Sequence, residues 1–311
     1  MLRVASHVGD ARSLGLPADL VADVVIDAVR MKDDVPTDRR YDVVLTVPWA
    51  APNLADLLDR GVSWVHVTGT GVDAFPFDLL GDRVLTTSRG ASAVPISEWA
   101  LAAMLAFEKR LPEVWHDVTP DRWRTGVTLG GLAGRRLALV GLGAIGSRVA
   151  RLAQAFEMTV VALRRTEQPS PVPGVELVSS LEDLLPGAAH VVLAAPLTAA
   201  THHLIGPAAF SAMSSGVHLV NVARGGLVDQ EALRSALDDG LVARASLDAV
   251  DPEPLPAGHW LYEHPLVRLS PHISWSGPGA IETLMDDFFE NCRRRLVGEP
   301  LRNVIDPVAG Y

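Results

Sequence analysis

The chain has 311 residues, of which 48% are hydrophobic and 21% are charged, which is ordinary for a globular protein large enough for two domains. Its formal net charge of −10 argues against non-specific binding to nucleic acid or to an anionic membrane, although local arginines can still bind a small anion. No apolar run reaches the ~18 residues of a spanning helix. The start of the chain lacks a signal-peptide pattern and Cys292 is the single cysteine, so we expect a cytoplasmic protein without an intrachain disulfide.

The N-terminal part alternates strand patterns with one short helical pattern. Strands are predicted at residues 1–4, 41–47, 62–67 and 83–87. A short helix is predicted at 53–60, with Asn53 as its N-cap. The strand at 62–67 leads into Thr68-Gly69-Thr70-Gly71, a turn whose glycines expose backbone N–H groups.

Two longer helical patterns divide the chain. The first covers about 95–118, with Pro95 suited to the first turn, and the second covers 281–296. Between them, strands and helices alternate from Leu137 to His272, as expected of a parallel α/β sheet with right-handed crossovers. We therefore predict a discontinuous substrate domain, 1–94 plus 281–311, and a dinucleotide-binding domain, 95–280.

A glycine-rich turn follows the first strand of the predicted second domain. Gly141-Leu142-Gly143-Ala144-Ile145-Gly146 matches G-x-G-x-x-G, lies after an apolar strand and opens a helical pattern over 147–156. In a dinucleotide-binding turn, Gly141 permits the tight turn, Gly143 lets the backbone approach a pyrophosphate and Gly146 allows close helix packing. The alternative is a tight turn without a ligand.

The next predicted strand, 159–163, ends in Arg164-Arg165. Folds that bind NAD usually place a carboxylate here to bind the ribose 2′-hydroxyl, whereas guanidinium groups bind a 2′-phosphate. We therefore predict NADP (as NADPH) as the preferred cofactor, with NAD as the alternative. The competing interpretation is that both arginines are solvated at a strand end.

Three polar residues follow three apolar runs near the C-terminal end of the second domain. Arg224 follows 219–223, Glu253 follows 245–250 and His272 follows 267–271. Because ligands bind at the carboxyl ends of strands in an open α/β sheet, we expect the three side chains to converge. Arg224 can bind a carboxylate through two parallel hydrogen bonds, and His272 can transfer a proton near neutral pH while Glu253 holds its other ring nitrogen. The alternatives are a surface salt bridge for Arg224, a structural role for His272 and an exposed turn for Glu253.

Asp248 also lies at the end of a predicted strand, where its carboxylate can accept a hydrogen bond from a nicotinamide amide. No cluster has the spacing of metal ligands, and hydride transfer needs no metal.

In these motifs the chain resembles the D-isomer-specific 2-hydroxyacid dehydrogenase family. The resemblance runs over almost the whole chain and is most evident from Leu132 to His272. It rests, in order, on Gly141–Gly146, Pro196-Leu197-Thr198, Asn221–Gly226, Leu247-Asp248 with Glu253-Pro254, and Pro271-His272. It implies two Rossmann-like or flavodoxin-like domains with parallel sheets flanked by helices, and a homodimer built on the coenzyme domains.

The resemblance also implies roles for individual residues. Arg224 would bind the substrate carboxylate and carbonyl, His272 would be the acid/base, and Glu253 would tune it. Backbone N–H groups of Thr70 and Gly71 would bind the substrate carboxylate. The nicotinamide side would be lined by Pro196, Thr201, Val222, Ala223 and Asp248.

Arg164-Arg165 departs from the NAD-using members of the family and resembles the NADP-using glyoxylate/hydroxypyruvate reductases. Trp275 after His272, and Trp49 after a first-domain strand, are predicted to contact a compact substrate; the alternative for both is packing. The predicted reaction is NADPH-dependent reduction of a small 2-oxo acid to its D-2-hydroxy acid. The alternatives are a dehydrogenase of another small anion such as phosphite, and a non-catalytic dinucleotide-sensing module.

Overall fold

A computed structural model of the chain describes residues 1–116, 119, 123, 125–165 and 168–310. The chain divides into two compact units, one formed by Met1–Ser92 with Gly277–Tyr311 and the other by Ala93–Ser276. The assignment of one unit to the substrate and of the other to the dinucleotide stays a prediction. None of the helices in the described ranges is long and apolar enough to cross a membrane.

The first unit is a five-stranded parallel sheet with helices on it. Its elements are β1 (Leu2–Ser6), β2 (Val24–Ala28), β3 (Val43–Thr46), α1 (Leu54–Leu58), β4 (Trp64–Val67), β5 (Val84–Thr87) and α8 (Ala280–Val297). The strand order β2-β1-β3-β4-β5 is that of flavodoxin-like sheets. The cores on the two sides of the sheet include Leu54 and Leu57 of α1 in one cluster and Phe288 and Cys292 of α8 in the other.

The second unit is a seven-stranded parallel sheet. Its elements are α2 (Ala93–Glu108), β6 (Arg136–Val140), α3 (Ala144–Ala155), β7 (Thr159–Leu163), β8 (Glu176–Val178), α4 (Leu181–Leu184), β9 (His190–Leu193), α5 (Pro207–Ala212), β10 (Val217–Asn221), α6 (Gln230–Asp238), β11 (Val242–Leu247), α7 (Trp260–Glu263) and β12 (Val267–Leu269). The order β12-β11-β10-β9-β6-β7-β8 places β9 beside β6, so the order reverses next to the strand that precedes the glycine turn. This is the Rossmann arrangement with one further strand, and it confirms the predicted α/β class.

The helix predicted at 95–118 is wrong at its C-terminal end. Helix α2 ends at Glu108, and Val118 lies outside the described residues. Arg110 has a left-handed φ of 52°, and the N–H groups of Arg110 and Leu111 bond to the carbonyls of Phe107 and Ala106. These two bonds form a Schellman motif, which satisfies the last carbonyls of the helix and stops it. Pro112, which cannot continue a helix, follows at once.

Smaller differences concern element ends near the predicted site. Strand β10 ends at Asn221 and β11 at Leu247, two and three residues before the predicted ends at 223 and 250. Helix α3 begins at Ala144 rather than at 147, because the last glycine of the motif already lies within the helix. Asn53 stands before α1, but its side chain does not cap the helix.

A line of buried polar side chains crosses the second sheet. Ser246 Oγ lies 2.9 Å from His218 Nε2, the Nδ1 atoms of His218 and His190 are 3.1 Å apart, and His190 Nε2 is 3.1 Å from a carboxylate oxygen of Glu108. Because the carboxylate accepts, His190 carries its proton on Nε2, and its Nδ1 accepts from the Nδ1–H of His218, whose Nε2 accepts from Ser246. Every donor thus has an acceptor with both rings neutral. Burial lowers the pKa of both histidines, that of His190 to about 4.

Candidate active site

The glycine turn lies at the carboxyl end of β6 and satisfies the steric demands of a phosphate-binding turn. Gly141 has φ +96°, and a Cβ there would stand 2.8 Å from the carbonyl oxygen of Ala194. A Cβ on Gly146 would stand 2.1 Å from the carbonyl oxygen of Gly141. At Gly143, by contrast, a Cβ would meet no described atom within 4 Å. Gly141 and Gly146 therefore make the turn tight, while Gly143 leaves open space against the backbone.

Helix α3 begins directly after Gly143, beside this open space. Its first residues are Ala144 and Ile145, and its first turn contains no acidic side chain. The free N–H groups of a helix start carry partial positive charge and bind phosphate. The glycine turn and the start of α3 therefore fit the pyrophosphate of a dinucleotide.

Arg164 and Arg165 follow β7, the strand next to β6. The exposed guanidinium of Arg164 donates to the Pro169 carbonyl at 3.2 Å and to the Gln168 side chain at 3.3 Å. These contacts hold the loop against the strand end and still leave guanidinium donors for a further ligand. The position suits a ribose substituent, whereas contact with a 2′-phosphate stays a prediction.

The loops after β9 and β10 carry the other residues predicted to line the nicotinamide. Thr201 Oγ1 donates to the Pro196 carbonyl at 2.8 Å and accepts from Thr198 N–H at 2.8 Å, which closes the loop after β9. Val222 and Ala223 follow β10 directly and are buried. All four predicted residues therefore lie at the same edge of the sheet as the glycine turn.

His272 and Glu253 form a direct pair. His272 Nδ1 is 2.8 Å from one carboxylate oxygen of Glu253, whose other oxygen accepts the Val250 N–H at 3.0 Å. The hydrogen bond to Glu253 raises the pKa of His272 against the opposing effect of burial. Burial acts to raise the pKa of Glu253, but the bonds from His272 and Val250 outweigh it and lower that pKa. Since Nδ1 binds Glu253, Nε2 of His272 is the ring atom available to a substrate.

Arg224 precedes the short 3₁₀ turn Gly225–Leu227 after β10. Its guanidinium donates to the Ala223 carbonyl at 2.8 Å. Its positive charge acts to lower the pKa values of both His272 and Glu253, which places it in their electrostatic neighbourhood. Gly225 allows this arrangement because a Cβ there would stand 1.9 Å from the backbone of Val250. The structure thus gathers the three polar residues that the sequence singled out.

Asp248 has a structural task that the sequence did not predict. Its buried carboxylate accepts the N–H groups of Ile273 at 2.9 Å and Ser274 at 3.0 Å, together with the hydroxyl of Ser270. Its backbone carbonyl accepts the N–H of His272 at 2.9 Å. Asp248 therefore clamps the loop that presents His272, whose φ of 52° is left-handed. A nicotinamide contact of this carboxylate stays a prediction.

Asn221 is a second supporting residue that the sequence analysis missed. Its buried side chain donates to the carbonyls of Arg224 at 2.8 Å and Ala249 at 3.3 Å, and accepts the N–H of Ala223 at 3.0 Å. It joins the loops after β10 and β11, which carry Arg224 and Glu253. The signal was present as a polar residue at the end of a mostly apolar strand.

The predicted substrate residues of the first unit follow its central strands. Thr70 and Gly71 come after β4, and within the described ranges their backbone N–H groups donate no hydrogen bond. Trp49 follows β3 and is 52% exposed. Both features leave these groups available to a ligand.

Trp275 is partly buried and packs against the cluster that contains Ile96, Ala100 and Leu142. This observation favours the packing interpretation, and a substrate contact of Trp275 stays a prediction. The described part of the chain holds no group of three or more His, Cys, Asp or Glu side chains arranged to bind a metal ion.

Comparison with known proteins identifies the group to which this architecture belongs. The sequence profile of "D-isomer specific 2-hydroxyacid dehydrogenase, NAD binding domain" matches residues 101–274. The hydroxypyruvate reductase of Thermotoga maritima is 33% identical over 217 residues, which cover 68% of this chain and 70% of that protein. A crystal structure of a D-isomer specific 2-hydroxyacid dehydrogenase from Xanthobacter autotrophicus Py2, in complex with NADPH and MES, has a TM-score of 0.84 at 27% identity and covers 100% of this chain and 99% of its own.

Longer relatives match as well. A chloroplastic D-3-phosphoglycerate dehydrogenase of Arabidopsis thaliana is 36% identical over 216 residues, which are 67% of this chain and 36% of that protein. In five D-3-phosphoglycerate dehydrogenases, including this one, the match spans between 36% and 56% of the length of the relative.

Proposed function

The chain belongs to the D-isomer specific 2-hydroxyacid dehydrogenase family, and we propose that it catalyses the NADPH-dependent reduction of a small 2-oxo acid to the D-2-hydroxy acid. The observation that carries the proposal is the His272–Glu253 pair, 2.8 Å apart, with the charge of Arg224 acting on both. An imidazole held by a carboxylate beside a guanidinium can protonate a carbonyl oxygen while the negative charge on that oxygen is stabilised.

A bound nicotinamide dinucleotide supplies the hydride in this chemistry. His272, with Nδ1 held by Glu253, donates the proton on Nε2 to the carbonyl oxygen of the substrate. The hydrogen bond to Glu253 raises the pKa of His272, so the ring stays protonated at pH values above the usual pKa of an imidazole. Arg224 binds the substrate anion and stabilises the charge that develops on the carbonyl oxygen, a contribution of about 3–4 kcal/mol for one well-placed donor.

The substrate carboxylate binds to the N–H groups of Thr70 and Gly71. Support comes from the lack of any other acceptor for these donors in the described ranges. Successive backbone N–H groups in a turn form a concave anion site without needing a charged side chain.

NADPH is the preferred cofactor in this proposal. Arg164 and Arg165 follow the strand end at which NAD-binding folds usually carry a carboxylate, a group that would repel a 2′-phosphate. The Xanthobacter relative was crystallised with NADPH. Replacing both arginines, as Arg164→Ser with Arg165→Ser, is expected to weaken NADPH binding more than NADH binding.

The substrate is compact and carries no phosphate, as glyoxylate and hydroxypyruvate do. The segment from Val47 to Asn53 contains an exposed tryptophan and neither lysine nor arginine, so it offers no cation to a phosphate group. Relatives include the hydroxypyruvate reductase of Thermotoga maritima and the glyoxylate reductase of Thermofilum pendens.

We further propose that the chain forms a homodimer through the coenzyme-binding unit. The exposed side chains of Trp115 and Trp123, at 69% and 75%, support an apolar contact surface in this unit. Sedimentation velocity is expected to give twice the mass of the chain.

The decisive experiment is NADPH oxidation by the purified protein with glyoxylate, hydroxypyruvate, pyruvate and 3-phosphohydroxypyruvate. Turnover with the first two, with NADH much less effective, is the expected result. Reduction of NADP⁺ by phosphite, with no turnover of the acids, would instead indicate a dehydrogenase of another anion. Tight NADPH binding without turnover on either panel would indicate a dinucleotide-sensing module.

A further inference from the structure

A histidine outside the chemistry above lies at the carboxyl edge of the first unit. His7 follows β1 directly, and its Nδ1 is 2.7 Å from Thr46 Oγ1 while its Nε2 is 2.9 Å from Asn53 Oδ1. Thr46 is the last residue of β3, and Asn53 immediately precedes α1. One imidazole therefore joins the two ends of the segment 47–52, hereafter the Trp49 segment.

The proton positions in this bridge follow from the bonds of Asn53. Its Nδ2 donates to the carbonyls of Arg30 and Asp33, each at 2.9 Å, so Oδ1 is the atom that faces His7. An amide oxygen only accepts, which places the proton of His7 on Nε2 and makes Nδ1 the acceptor of the Thr46 hydroxyl. Burial lowers the pKa of His7, in agreement with a neutral ring.

The bridge also reaches the turn assigned to the substrate carboxylate. The carbonyl of Thr46 accepts both the N–H of Thr68, at 2.9 Å, and its hydroxyl, at 3.2 Å. Thr68 opens the turn that contains Thr70 and Gly71. Thr46 thus connects the start of the Trp49 segment to this turn, and Asn53 anchors the other end of the segment to the loop after β2.

We propose that His7 and Asn53 are positioning residues that hold the Trp49 segment in one conformation and thereby restrict the first unit to 2-oxo acids with small, uncharged side chains. This inference rests on the proposed function. His7 and Asn53, one half-buried and one buried, use their hydrogen-bonding atoms to join the two ends of a short loop of apolar residues. Trp49 is the only large side chain of that loop.

The two variants His7→Leu and His7→Gln separate hydrogen bonding from bulk. Leucine leaves the Thr46 hydroxyl and the Asn53 carbonyl without a partner. Glutamine offers one donor and one acceptor on a planar group, as the neutral imidazole does. Hydrogen–deuterium exchange of peptides covering 47–53 is expected to be faster in His7→Leu and close to wild type in His7→Gln. Unchanged exchange in His7→Leu would overturn the proposal that His7 holds the Trp49 segment in one conformation.

Kinetics then test the link to selectivity. The ratio of kcat/KM for glyoxylate to that for phenylpyruvate is expected to fall about tenfold in His7→Leu, the order of effect of an altered apolar pocket. The expectation for Trp49→Ala is a similar fall. The double variant should show little more than either single change, because both act on the same contact.

The outcomes distinguish this inference from the proposed function. A wild-type protein that reduces none of the acids overturns the proposed function, and the selectivity inference with it. An active protein whose substrate ratio is unchanged in His7→Leu, or whose two single changes add fully, overturns this inference alone.

Discussion

The second unit contains two histidine–glutamate pairs of similar geometry in opposite surroundings. His272 and Glu253 are 2.8 Å apart, and both side chains are 38% exposed. His190 and Glu108 are 3.1 Å apart, and their side chains are 0% and 5% exposed. The carboxylate raises the pKa of the exposed histidine, whereas burial lowers that of the enclosed one to about 4. A partner of the same type therefore favours the protonated ring at one site and accompanies a neutral hydrogen-bonding ring at the other.

The largest expected effect comes from removing the exposed imidazole. In His272→Asn, kcat is expected to fall by about 10²–10⁴-fold, because the proposed general acid is lost. NADPH binding, measured by fluorescence titration, is expected to stay within error of wild type. The matched control, His190→Asn, should retain its kcat per folded molecule. Near-normal turnover in His272→Asn would refute the assignment.

The second prediction concerns the loss of folding stability at acid pH caused by the buried His190. A histidine with pKa 6.5 unfolded and about 4 folded binds a proton more readily in the unfolded state. Its effect on stability is absent above pH 6.5 and grows as the pH falls toward 4, to about 3 kcal/mol lost. Urea unfolding at several pH values should show this loss in the wild type and a flatter dependence in His190→Gln. Parallel curves for the two proteins would contradict the buried-histidine argument, although His66, with a pKa of about 3, adds a slope common to both.

A third comparison removes the glutamate from each pair. Glu108→Met leaves a buried N–H of His190 without an acceptor, at an expected cost of about 1–3 kcal/mol in the free energy of unfolding. Glu253→Met removes a partly solvated partner of His272, for which we expect less than about 1 kcal/mol. Denaturant midpoints at one pH would test this, and equal losses in the two variants would show that burial does not separate the pairs.

The smallest expected effect is a shift in the pH profile of Glu253→Gln. The hydrogen bond to the charged carboxylate of Glu253 raises the pKa of His272, so replacing that carboxylate with a neutral amide should make the ring deprotonate at lower pH. Reduction needs the protonated ring, so the alkaline fall of kcat/KM should move toward acid, with a loss at neutral pH smaller than that of His272→Asn. A profile identical to that of the wild type would exclude Glu253 as the tuning group.

Much of the geometry of the candidate dinucleotide site could be predicted because its requirements are local. Gly141 and Gly146 are dictated by a tight turn and by close backbone contact within a few residues of chain. The position of His272 follows from a single rule about strand ends. The end of α2 was predicted too late because the apolar spacing continues, and only the left-handed Arg110 with the following Leu111-Pro112 marks the end.

The partners of polar side chains were much harder to predict. Asn53 has the sequence position of a helix cap, yet its amide binds His7 and the loop after β2, which lie far away in the chain. His190 and His218 lie within apolar strands and gave no signal of their own. Their pairing exists because β9 and β10 are adjacent in the sheet and both side chains face α2.

Residue periodicity and short-range steric limits were enough to predict the α/β class, the glycine turn and the order of the strand-end residues. Which histidine is exposed beside its glutamate, and which is enclosed with one, became evident only from the folded chain. That distinction depends on desolvation, and desolvation is a property of the folded surroundings that no local pattern of residues records.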